Sequence, residues 1–133
     1  MTRYLLLQNY EGGNCDVPMS EWAPADVTAH IDFQLALNAE LAGLGELVGA
    51  EGLTGPEHAK IVRFEGEGAP IVTDGPYAEG KEWLAGYRMI DVASEERALE
   101  IAARSSAAPG PDGVPMGLTI EVRPLGGAPG AEQ

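Results

Sequence analysis

The sequence predicts an α+β domain: one antiparallel sheet, two helices on one of its faces, and an extra hairpin inserted midway. Three observations carry this. Strand–helix–strand order occurs twice, over residues 3–52 and again over 87–123. The first helix has a broad apolar arc, as a helix lying on a sheet requires. Between the two units, Gly66-Glu67-Gly68 joins two short strand-like runs, which is hairpin chemistry.

The elements follow in order. Arg3 to Gln8 reads as a first strand, with Leu5 and Leu7 on one side and Tyr4 and Leu6 on the other, so both faces are expected to be covered. Asn9 to Ala23 reads as a loop. Pro24 suits the first turn of a helix, where its missing N–H costs nothing. That helix is expected to run to about Leu44, with Gly43 and Gly45 stopping it. Glu46 to Gly52 is a second strand. Lys60 to Glu65 and Pro70 to Thr73 form the hairpin. Tyr87 to Val92 alternates, with Tyr87, Met89 and Asp91 on one face and Arg88, Ile90 and Val92 on the other. Ser94 is a good N-cap, and Glu95 and Glu96 favour the positive end of the helix that follows. Leu118, Ile120 and Val122 point inward from a last strand, Gly117 to Arg123. The order is the ferredoxin-like split βαβ pattern. One domain is expected over 1–125, with a Gly/Ala/Pro tail over 126–133.

The first helix holds the most informative pattern. With Val27 as origin, its apolar arc takes in Ile31, Phe33, Leu35, Leu37, Leu41 and Leu44 over roughly 200°. His30, Gln34 and Asn38 fall near the middle of that arc, at i, i+4 and i+8. Buried polar groups need partners. Either these three satisfy one another and the backbone, or they line a pocket between helix and sheet.

The second informative stretch is Asp74-Gly75-Pro76-Tyr77-Ala78-Glu79, followed by Lys81-Glu82 and Gly86-Tyr87. Asp-Gly-Pro is turn chemistry, and the turn presents Asp74, Tyr77, Glu79 and Lys81 close together. This stretch resembles the DGPF motif of the YCII-related (YciI-like) proteins, with Tyr77 where the motif usually has Phe. The resemblance covers roughly residues 3 to 124. It implies a ferredoxin-like subunit that pairs into a dimeric α/β barrel. It also implies that lyase-like removal of a leaving group from an aromatic ring is one chemistry open to the group, and that DGPF proteins are commonly encoded beside extracytoplasmic-type sigma factors.

Composition bounds the rest. Of 133 residues, 44% are apolar, which suits a folded domain, and the formal charge is −13. Such a chain repels phosphate backbones, so direct nucleic-acid binding is not expected. Cys15 is the single cysteine, which excludes an intrachain disulfide and fits a cytoplasmic protein. No apolar run is long enough to span a membrane. No Walker loop and no zinc-type Cys/His cluster is present, so neither metal nor cofactor is expected. His58 stands in polar company and reads as a surface residue.

What remains is a proton-transfer pair. A histidine beside an aspartate has its ring oriented and suits general-base work near neutral pH. His30 and Asp74 are the candidates, and a His–Asp pair is also what the YciI-like resemblance implies. Gln34, Asn38, Glu51, Tyr77, Glu79 and Lys81 are the candidate ligand-binding residues. A sheet with helices on one face leaves the other bare, and a second copy of the chain is the expected cover. The expected function is a dimeric small-ligand-binding or regulatory module, with a small acid–base enzyme as the alternative.

Overall fold

The computed structural model describes residues 1–9, 17, 19–74 and 84–127, with the Pro56 side chain left aside. Tyr77, Glu79, Lys81, Cys15 and most of the tail lie outside the described residues.

A four-stranded antiparallel sheet is made by β1 (Thr2–Asn9), β2 (Leu47–Gly52), β5 (Leu84–Val92) and β6 (Ile120–Pro124), in the order β2-β5-β1-β6. Two helices, α1 (Pro24–Gly43) and α2 (Glu95–Ser106), complete the two strand–helix–strand units. The inserted strands β3 (Lys60–Arg63) and β4 (Ile71–Asp74) pair only with each other, as a separate two-stranded sheet. This is an α+β arrangement with the element order of a split βαβ domain plus a hairpin. Among the described residues no sheet closes into a barrel.

The alternation read from β5 sets the layers. Arg88, Ile90 and Val92 are buried, while Tyr87, Met89 and Asp91 are half-buried on the other face. From β1, Tyr4 and Leu6 join the buried side. With Leu37 and Leu41 of α1, and Ala98, Ile101 and Ala102 of α2, they form the core. The opposite face carries Leu5 beside Met89 and Leu7 beside Tyr87.

Both helices start as the sequence predicts. Pro24 occupies the first turn of α1, and the Ser94 hydroxyl accepts the Arg97 N–H at 3.2 Å. The end of α1 is a Schellman turn: Gly45 adopts φ 73°, its N–H reaches the Ala42 carbonyl, and the Glu46 N–H reaches Leu41. One expectation fails. Ile31, Leu35 and Leu44 are exposed rather than facing the sheet, Leu35 by 61%. The sheet-facing arc is narrower than the apolar one and runs along His30, Leu37 and Leu41, flanked by Phe33, Gln34 and Asn38. The polar seam is therefore the centre of the contact, and the extra leucines lie outside it. Leu99 of α2 is exposed too, while Ala98, Ile101 and Ala102 make the core side of that helix.

Gly86 fixes the approach of β2 to β5. A Cβ there would stand 2.8 Å from the Glu51 carbonyl oxygen, closer than two unbonded atoms approach. The strands come together at this point because no side chain intervenes.

Candidate functional site

A cleft of about 740 Å³ opens between α1 and the helix-facing side of the sheet, within the size range of small-molecule sites. His30, Gln34 and Asn38 line it from α1, Glu51 from β2, Arg88 from β5 and Ser105 from α2. Apolar walls come from Leu6, Met19, Trp22, Met116 and Leu118.

Arg88 organises the floor. It occupies an inward position of an alternating strand, where Ile90 and Val92 supply core, and it is only 6% exposed. Its Nε donates to Asn38 Oδ1 at 2.7 Å, Nη2 to Gln34 Oε1 at 2.6 Å and Nη1 to Ser105 Oγ at 2.9 Å. Every acceptor is neutral. Burial lowers the guanidinium's pKa from its ordinary value, but an arginine remains charged at neutral pH.

His30 is equally buried. Its Nδ1 lies 3.0 Å from the Pro109 carbonyl oxygen. A carbonyl only accepts, so Nδ1 carries the proton and Nε2 of the neutral ring is an acceptor. The Gln34 amide nitrogen faces that Nε2 at 3.5 Å, a long contact. The edge of the Trp22 ring meets the imidazole with centroids 5.7 Å apart, and Trp22 is itself held by an indole N–H donated to the Val17 carbonyl at 2.8 Å. The segment bearing Pro109 is tied down by the Gly110 N–H to the Val114 carbonyl at 2.8 Å and the Met116 N–H to the Ala108 carbonyl at 2.9 Å. The segment is thus a brace behind His30, and it brings Met116 onto the cleft.

The two readings of the helix seam both hold. His30, Gln34 and Asn38 are bonded to one another, to Arg88 or to backbone, and they also line the cleft. Glu51 borders the same cleft and is exposed, but it stands opposite Tyr87 in the β2–β5 pairing, on the other face of the sheet from Arg88. Asp74 is placed elsewhere: it ends β4, its side chain is 80% exposed and pairs with Lys60, and it is not among the residues lining the cleft. Tyr77, Glu79 and Lys81 lie outside the described residues. His58 is exposed, 3.7 Å from a Glu57 carboxylate oxygen. Among the described residues no three His, Cys, Asp or Glu side chains gather closely enough to hold a metal ion, and no helix is long and apolar enough to cross a membrane.

Sequence reasoning overlooked Arg88 and Trp22 as parts of a site. The signal for Arg88 was present: a charge in the inward set of a strand needs a polar partner, and the opposite helix offers amides four residues apart. Trp22 carried no comparable signal, since nothing in its polar stretch shows that it folds back over His30.

Comparison with known proteins matches residues 2–111 to the YCII-related domain. An uncharacterized protein of Rhizobium meliloti (strain 1021) is 47% identical over 70 residues, which cover 53% of this chain and 52% of that protein. The chain thus spans about half the length of this curated relative.

Proposed function

This chain belongs to the YCII-related domain family, and from that premise we propose that it is a dimeric cytoplasmic module that binds a small organic molecule in the cleft between α1 and the sheet. The observation that carries the reading is the polar floor of an otherwise apolar cleft. Mostly apolar clefts with a few convergent, pre-positioned polar groups are the usual form of small-molecule sites. Here those groups are braced from three elements, so little ordering remains to oppose binding.

The dimer is supported by the bare sheet face. Leu5, Leu7, Tyr87 and Met89 form its apolar centre, and Arg3, Asp91, Glu121 and Arg123 flank it with both signs of charge. A two-fold interface brings the same patch to itself, so a mixed-charge rim is self-complementary. Asp91 Oδ1 is buried there with no hydrogen-bond partner among the described residues, a group that a donor from a second copy would satisfy. Two such sheets face to face make the dimeric barrel. A regulatory role beside an extracytoplasmic-type sigma factor is the setting that the DGPF resemblance favours.

A second reading, an acid–base enzyme using His30 and Asp74, draws support from the acceptor character of His30 Nε2, which meets only the long 3.5 Å contact from Gln34. It requires Asp74 to leave Lys60 and reach the cleft.

The test is a thermal-shift screen of small organic molecules, followed by side-chain amide NMR. A ligand at about a hundred times its Kd should add about 2.7 kcal/mol of stability, and should move the Gln34 and Asn38 amide signals. Stabilising compounds that leave both signals unmoved would refute the assignment to this cleft.

A further inference from the structure

We infer that the cleft is selective for a monoanion with an apolar body, a small monocarboxylate held by Arg88. This rests on the reading of the cleft as a ligand site and adds the charge of the ligand. The argument begins with the chain's other cations. Of eight lysines and arginines, Lys81 lies outside the described residues. Arg3, Lys60, Arg63, Arg97, Arg104 and Arg123 each stand beside a carboxylate. Arg88 alone among the described cations has no carboxylate partner, and it is the one that is buried. In a chain with 21 acidic residues, a buried cation with no carboxylate partner among the described residues is not explained by a shortage of acids.

The three neutral acceptors satisfy hydrogen bonds but leave the charge uncompensated in a poorly hydrated place. They also fix the guanidinium plane. A guanidinium has five N–H groups. Asn38, Gln34 and Ser105 take one each, from Nε, Nη2 and Nη1. One N–H remains on each Nη, the number that the two oxygens of one carboxylate accept. Trp22, Leu118 and Met116 supply apolar wall beyond that head group. The two remaining N–H groups match one carboxylate, so a second carboxylate on the ligand would be left against the apolar wall without a cation.

Benzoate, phenylacetate and hexanoate, each paired with its neutral amide, form the test set, with phthalate as a dianion. The readouts are titration of the wild-type Arg88 Nε–H signal and Kd values for wild type, Arg88→Met and Arg88→Lys. At least one acid is expected to bind tenfold or more tighter than its amide and than phthalate. That preference should vanish in Arg88→Met and survive, weakened, in Arg88→Lys. If Arg88→Met does not fold, the wild-type Nε–H shift and Arg88→Lys decide the matter. Equal binding of acids and amides, or a preference that Arg88→Met retains, would overturn the inference while leaving the cleft a ligand site. Binding of neither acids nor amides would overturn both.

Discussion

Burying a guanidinium against neutral oxygens costs several kcal/mol in desolvation that a carboxylate would offset. Arg88 lacks that carboxylate, so it is a poor contributor to stability for a residue so well hydrogen-bonded. Replacing it by an apolar side chain of similar length removes three hydrogen bonds and one desolvated charge, and the two effects oppose each other. Because Ser105 Oγ and the two amide oxygens lose their donor, Arg88→Met is expected to cost about 1–3 kcal/mol in urea denaturation, the lost charge desolvation offsetting the rest. A loss above about 3 kcal/mol would mark the guanidinium as a structural brace, since that is the scale of breaking a buried network that the fold needs. Legibility at this scale was uneven. The positions of His30, Gln34 and Asn38 were readable because helical spacing places them on one face whatever else folds. Their common partner was not, because the pairing of β5 with the α1–sheet gap depends on contacts 50 or more residues apart in sequence.

At the scale of elements, the join between α1, β2 and α2 depends on Glu46. It follows the Schellman turn, its carbonyl accepts the Asp91 N–H at 2.8 Å, and its carboxylate grips Arg97 of α2, with contacts at 2.8 to 3.2 Å. Hydrogen bonding to Arg97 is the main cause that holds the Glu46 carboxyl below its ordinary pKa. The unfolded chain therefore takes up this proton at higher pH than the folded one does. The stabilisation is fully present above the ordinary glutamate value of about 4.3 and is lost as pH falls through the lower folded value. Glu46→Gln should cost about 1–2 kcal/mol at pH 7, and the gap between variant and wild type should shrink as pH drops from about 5 to 3. Denaturant melts across that range are the check; a gap independent of pH would mean that the charge is idle. Element types and order were legible from capping, turn and alternation signals. The burial of Ile31, Leu35 and Leu44 was misjudged because an apolar arc says which residues could face a sheet, not how much of the arc one sheet can cover.

Arg88 and the helix seam lie on the helix side of the sheet and the bare apolar face on the other, and the two surfaces meet at Tyr87, which borders both. A species of twice the 13.9 kDa chain mass is expected by sedimentation at micromolar concentration, and Met89→Glu, at the centre of the bare face, should shift it to monomer. A wild-type monomer at that concentration would end the dimer proposal. The separate β3–β4 sheet was legible as a hairpin, but its exclusion from the main sheet was not, since strand patterns do not name partners. Crystals soaked in benzoate, phenylacetate and hexanoate test the central claim most directly. The account predicts electron density for at least one acid in the cleft, with its carboxylate within hydrogen-bond distance of Arg88 and its apolar body against Trp22 and Leu118. A cleft that holds only water after soaking, with density for the acids absent or confined to other surfaces, would contradict it.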